Sequence, residues 1–230
     1  MLSVLDNYGG SPFDEVYDVV VPVYGDKDVE EAFKFAPRCA MVIWGGGDIS
    51  PTIYGQEPNK YSGATAELSQ RDAIEVACAQ MAIKLGIPII GICRGAQLMC
   101  ALSGGSLVQH VENHGSVGYH KIKTNDGREI NCPTVHHQMM FPYRIPEWEL
   151  IAWCDPARSP AYYGPPKKDK PEECEMLKLE GPEPEIIWIP ATKSLCIQSH
   201  PEFVSDTKHP FVVYANDLVR RYCLPAYSAE

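Results

Sequence analysis

The segment "GICRGAQ", residues 91–97, sets one cysteine between two glycines, at the end of an apolar run and the start of a helix-forming stretch. A sharp strand-to-helix turn makes that demand, because the positions two before and two after the turning residue collide unless both are small. The side chain at such a turn projects from the end of a sheet, beside the partial positive charge of the next helix's N-terminus, which stabilises a sulfur anion. Cys93 is therefore read as a nucleophile.

A thiolate nucleophile needs a proton shuttle and a group that orients the shuttle. The segment "IQSHPEF" offers His200 and Glu202, two residues apart on what reads as extended chain, so that both side chains point the same way. Glu202 can then fix the tautomer of the imidazole while the other ring nitrogen faces Cys93. An oxyanion hole is expected from "WGGGDISP", whose glycines let backbone amides approach a reacting carbonyl without Cβ atoms in the way. The expected donors are an amide of Gly46 or Gly47 and the amide of Arg94. A phosphate-binding loop is the rival use, but neither the lysine of a P-loop nor the spaced glycines of a dinucleotide fingerprint follow.

Metal chemistry is the competing explanation for the histidines. His110, His114 and His120 in "QHVENHGSVGYH" could supply three ligands. Gly115 and Gly118 give that stretch loop character, however, and no carboxylate is placed as a base. No metal and no organic cofactor is expected.

These residues must be carried by a sheet. Residues 18–24 and 39–44 read as buried strands with a short helix from Asp26 between them, and residues 65–85 read as a helix stopped by Gly86. "IPIIGI" is apolar on both faces, as a central parallel strand covered by helices must be, and a helix closed by Gly104 and Gly105 follows it. Alternating strand and helix with short joints implies a three-layer α/β sandwich with a mostly parallel central sheet. Residues 120–125, 129–135 and 148–154 read as strands of a mixed extension. Strands resume at 186–190 and 194–200, and residues 210–223 read as a closing helix with its basic residues in the last turns. One domain over residues 1–230 is expected, with a Pro-rich, charged insertion of uncertain order around residues 155–185 that could serve as a substrate lid or partner surface.

Composition narrows the partners. A 230-residue chain that is 45% apolar can bury a sizeable core, and a formal net charge of -10 opposes a nucleic-acid partner. No stretch approaches the roughly 18–20 apolar residues of a membrane span, and residues 1–10 lack a charged-then-apolar leader, so no membrane and a cytoplasmic location are expected. Nine cysteines without a C-x-x-C pair suggest reduced core thiols rather than a disulfide framework or zinc ribbon.

Taken together, the motifs resemble the class I glutamine amidotransferases, with their G-x-C-x-G-x-Q and downstream His-Pro-Glu. The resemblance is closer to the branch of γ-glutamyl-γ-aminobutyrate hydrolases, peptidase C26. Its blocks are matched in order between about residues 39 and 205 by "GGGDISPTIYGQE", "QRDAIE", "PIIGICRGAQLMCALSGGSLVQ", "VHHQ" and "SHPEF". The branch often carries Asn-Ser before the His-His-Gln block, where this chain has "CPTVHHQ". The resemblance implies a flavodoxin-like fold and a Cys93, His200, Glu202 triad that hydrolyses the amide of glutamine or a γ-glutamyl amine through a γ-glutamyl thioester. It further implies that Gln97, His136, His137 and Gln138 bind substrate, with His137 the better placed of the two histidines, and that Arg71 and Asp72 pair structurally near the glycine loop. A small glutamine or γ-glutamyl substrate is the implied partner. A separate ammonia-accepting synthetase, a homo-oligomer, and an inert binding protein on the same fold stay open as alternatives.

Overall fold

The computed structural model describes residues 1–5, 12–115 and 118–224. The first half follows β1 (Leu2–Val4), β2 (Val21–Val23), α1 (Asp26–Phe35), β3 (Met41–Ile43), α2 (Gln70–Leu85), β4 (Ile89–Ile92) and α3 (Arg94–Leu102). Short strands follow as β5 (Ser106–Val108), β6 (His110–Val111), β7 (Gly118–Thr124), β8 (Glu129–Thr134) and β9 (Met139–Phe141). The chain continues through β10 (Glu149–Cys154), β11 (Tyr162–Lys167), β12 (Lys170–Met176), β13 (Glu183–Ile189), β14 (Ser194–Ile197) and α4 (Pro210–Cys223).

Nine strands form one sheet in the order β2-β1-β3-β4-β14-β13-β10-β7-β8. From β2 to β14 every pairing is parallel; from β14 to β8 every pairing is antiparallel. The expected α/β sandwich is thus present, with the parallel half positioning the site and the antiparallel half extending it. Residues of β4 alternate between two cores as its double-sided apolar pattern requires. Ile90 and Ile92 pack with Phe211, Tyr214 and Leu218 of α4, while Ile89 packs with Val29 of α1, Ala79 of α2 and Leu98 of α3. Helices therefore cover both faces of the sheet.

The helix expected from residue 65 begins at Gln70 instead. Ser69 accepts from the Asp72 amide, and the Asp72 carboxylate accepts from the Ser69 amide, so a capping box fixes the start five residues later. Gly86 closes that helix in the left-handed conformation at φ 70°, as its position suggested. The strand read at 18–24 is only Val21–Val23 and lies at the sheet edge, with Val19 and Val21 exposed. Its inner neighbour β1 was not anticipated; three residues are too short a run for periodicity to reveal.

Residues 155–185 are more ordered than their composition suggested. Strands β11 and β12 form a hairpin that pairs with β6 in a separate three-stranded sheet. Register shifts on either side of Pro166 let a strand containing two prolines keep its partner. Asn59 ties the hairpin to the loop after the glycine segment by donating to the Gly164 carbonyl at 2.8 Å.

Candidate active site

Cys93 sits between β4 and α3 at φ 48° and ψ -103°, a conformation that costs a non-glycine residue on the order of 1–3 kcal/mol. Its neighbours leave no other path. A Cβ on Gly91 would lie 2.6 Å from the Gly95 carbonyl, and one on Gly95 would lie 2.1 Å from the Ile43 carbonyl oxygen. Both glycines are required by close packing of α3 on β3 and β4. The Cys93 amide donates to Ile197 of β14 at 2.7 Å, and its carbonyl accepts from Gln97 at 3.0 Å, so the turn is pinned to both sheet and helix.

His200 follows β14, the neighbour of β4 in the sheet. Its Nδ1 is 2.7 Å from Glu202 Oε1, and the imidazole lies beside the Cys93 side chain, both flanking Gly45. Burial works to lower its basicity, but the bonds and charges of Cys93 and Glu202 outweigh that penalty and raise it to about 10. Phe203 stacks on the ring at 4.3 Å. Glu202 reaches the imidazole by a different route from the extended chain expected: Pro201 opens a 3₁₀ turn, Pro201–Phe203, that swings the carboxylate back beneath its neighbour.

The glycine loop closes over this pair. Gly45, rather than Gly46 or Gly47, touches the imidazole, since a Cβ there would come within 2.7 Å of His200 Cε1. Gly46 has φ 153°, and a Cβ on it would strike the Arg71 guanidinium at 2.2 Å. Arg71 holds the loop by donating to the carbonyls of Trp44 and Gly45 at 3.1 and 2.8 Å. As the first residue of α3, Arg94 has an amide with no intrahelical acceptor.

Arg71 and Asp72 do not pair with each other. Asp72 and Glu75 instead hold the buried Arg94 guanidinium, Asp72 at 2.5 Å, and Glu75 also accepts from Arg71 at 2.7 Å. One turn of helix separates Arg71 from Glu75, so the i, i+4 partner wins over the adjacent residue. Burial and repulsion from Arg71 lower Arg94 to about 10 against the pull of Asp72, so it stays charged at neutral pH.

The remaining expected site residues separate. Gln97 is buried and donates to the Gln138 carbonyl at 3.0 Å and to Gln198 Oε1 at 3.4 Å. His137 stands beside the glycine loop, its Nε2 2.9 Å from Asp48 Oδ1, and it also meets His110 at 3.4 Å between ring nitrogens. His136 turns away into the interior, where Nδ1 donates to the Gln138 carbonyl at 2.9 Å and Nε2 lies 3.7 Å from Glu185. The Gln138 amide group is buried without a hydrogen-bond partner among the described residues. An aromatic rim continues outward from His137, with Tyr61 stacked on His110 at 4.3 Å and Tyr163 of the hairpin 5.2 Å from Tyr61.

Two residues, one beside Cys93 and one in the glycine loop, were not singled out from sequence. Gln198 Nε2 lies 3.7 Å from the Cys93 sulfur, and Asp48 anchors His137 and the Gly63 amide. Gln198 stands two residues before His200 on a strand end, a spacing that could have marked it. As for metal ligands, His110 lies apart on the rim, whereas His114 and His120 converge with Cys154 and Glu185. Their donor atoms all fall within 4.8 Å of one another in the interior.

The sequence pattern of the peptidase C26 family matches residues 15–142, more than half of the chain. The chain belongs to the peptidase C26 family. That match takes in the glycine loop and Cys93 and stops short of His200. Among relatives of this C26 chain, the glutamine amidotransferase-like protein YvdE of Lactococcus lactis subsp. lactis is 33% identical over 118 residues, 51% of this chain and 47% of that protein. Protein NtpR of Enterococcus hirae is 38% identical over 74 residues, 32% of this chain and 30% of its own. The C26 chain thus spans half or less of the length of these relatives. The glutaminase domain of Trypanosoma brucei CTPS shares the fold, with a TM-score of 0.53 at 14% identity over 95% of this chain and 92% of that one. Among the described residues of this C26 member no helix is long and apolar enough to cross a membrane.

Proposed function

We propose that the protein is a cysteine-dependent hydrolase of γ-glutamyl amide bonds, acting on glutamine or a γ-glutamyl amine. What supports this reading is the contact of the Cys93 side chain with His200, whose other nitrogen is held at 2.7 Å by Glu202. Cys93 attacks the side-chain carbonyl as its sulfur anion. The oxyanion that forms is met by the amide of Arg94 and an amide of the 45–47 loop. His200 gives its proton to the departing amine, so the C–N bond breaks and a γ-glutamyl thioester remains. Water, deprotonated by His200, then attacks the thioester and releases glutamate with the thiolate restored. Glu202 keeps the imidazole oriented throughout, and Gln97, His137 and Gln138 are assigned to the glutamyl portion of the substrate.

The acceptor of the amine distinguishes two versions. Structural likeness to the CTPS glutaminase domain favours keeping the second, in which a separate synthetase takes up ammonia. The β11–β12 hairpin, with its exposed charged strand, is the surface offered to such a partner.

A glutamine analogue bearing an electrophile should add one equivalent of mass at Cys93 and nothing in Cys93→Ser. Absence of any adduct would overturn the enzymatic reading in favour of an inert binding protein. Release of amine from γ-glutamyl amines by the isolated chain supports the hydrolase; ammonia release from glutamine only with a synthetase present replaces it with the amidotransferase.

A further inference from the structure

Behind the proposed catalytic residues, three histidines and a carboxylate meet in the interior with no part in the chemistry of Cys93. Their proton positions follow from their partners. His114 Nε2 is 3.2 Å from Glu183 Oε2, and since a carboxylate only accepts, that nitrogen carries the proton and Nδ1 is left as a lone pair. His136 Nδ1 likewise donates to a backbone carbonyl, which leaves its Nε2 as a lone pair. Both lone pairs lie 3.7 Å from the same atom, Glu185 Oε1. Both nitrogens are buried without a hydrogen-bond partner among the described residues.

Acceptors facing an acceptor in a dry interior repel unless a cation or extra protons lie between them. Around Glu185 Oε1 stand His120 Nε2 at 3.0 Å and Cys154 Sγ at 3.4 Å, which complete a nitrogen, nitrogen, sulfur, oxygen donor set.

We propose that His114, His120, Cys154 and Glu185 bind a divalent zinc-type ion in a tetrahedral, structural site. The donor chemistry suits zinc, which takes imidazole, thiolate and carboxylate ligands. A dication would balance one thiolate and one carboxylate, and binding would release the Cys154 thiol proton to solvent. Zinc bond lengths of about 2.0–2.3 Å set tetrahedral ligands about 3.3–3.8 Å apart, so donor atoms now within 4.8 Å need close up by only about 1 Å. An outer shell is already in place. Glu183 holds His114 through Nε2 and itself accepts from the amides of Arg158 and Ser159, each at 2.8 Å. Ser199 donates to Glu185 Oε2 at 2.9 Å, so the ion would brace the residue next to His200.

The test needs no knowledge of substrate. Full-length protein, untagged and purified without chelator, is assayed for metal by mass spectrometry; metal-free protein is then prepared by unfolding with chelator and refolded with Co²⁺ alone. One equivalent of metal, a tetrahedral cobalt spectrum with a thiolate charge-transfer band, and a higher Tm with Zn²⁺ are expected. Cys154→Ser should abolish the charge-transfer band, His114→Gln should weaken binding at least about 10-fold, and Cys93→Ser should change neither. Wild-type protein that holds no stoichiometric metal and gives no such cobalt spectrum overturns the proposal without recourse to any variant. A band that persists in Cys154→Ser and disappears in Cys93→Ser also overturns it, by moving the ion to the nucleophile.

Discussion

Gly45 lies against His200 so closely that an alanine Cβ at this position would fall 2.7 Å from the imidazole Cε1. Gly45 does not have the positive φ that would itself exclude alanine. The collision therefore acts on the ring. Gly45→Ala should fold with a Tm close to that of the parent while γ-glutamyl hydrolysis falls about 10²-fold or more, the effect of misplacing a reacting group by about 1 Å. Steady-state kinetics beside a thermal melt decide it, and an unchanged kcat would show that the imidazole is placed by something else.

The raised basicity of His200 makes a pH prediction with a definite sign. Its folded value of about 10 exceeds the ordinary 6.5, so protonation favours the native state. That stabilisation is complete below about pH 6.5 and is lost as pH climbs through about 10. The alkaline limb of kcat/KM is expected near pH 10, and Glu202→Gln should move it toward neutrality while lowering kcat by about 10²–10⁴-fold. A pH profile on each protein measures both.

Arg94 contributes its amide to the proposed oxyanion hole and its side chain to the core. Arg94→Met keeps the amide but strands Asp72 and Glu75, both buried, without their main countercharge. Loss of one partner from such a group costs about 3–5 kcal/mol. Urea denaturation should show that loss, and a variant as stable as the parent would mean that Arg71 alone suffices for the two acids.

Asp48 should control His137. Its hydrogen bond holds the His137 imidazole above the ordinary histidine range in spite of partial burial. Asp48→Asn should bring the NMR titration of His137 downward. With substrate, the same change is expected to raise KM more than it alters kcat.

Much of this was readable beforehand, and physics explains which parts. Gly91 and Gly95 betray the turn at Cys93 because the steric conflict is local and appears as spacing along the chain. The acid of the His-Pro-Glu segment was legible for the same reason, although Pro201 delivers it through a 3₁₀ turn rather than an extended strand. Gly45 and Asp48 were hidden in plain view within the glycine loop, since what distinguishes them is contact with His200 and His137, far along the sequence. His136 and His137 are neighbours with opposite destinations, one interior and one on the rim, and adjacency alone cannot assign them. The hairpin was masked by Pro165, Pro166 and its charges, whose penalty is offset by a bulge and by pairing with the two-residue β6.

Strands β4 and β14 run side by side in parallel register, Ile92 opposite Ile197, and the chain leaves them through Cys93 and toward His200. The gap between sulfur and imidazole is therefore tied to the spacing of two adjacent strands, roughly 4.8 Å, instead of to a loop. Thermal breathing at the surface can open or shut access without pulling the two apart. The Cys93 amide, locked onto Ile197, should accordingly surrender its proton to deuterated solvent only when the whole molecule unfolds.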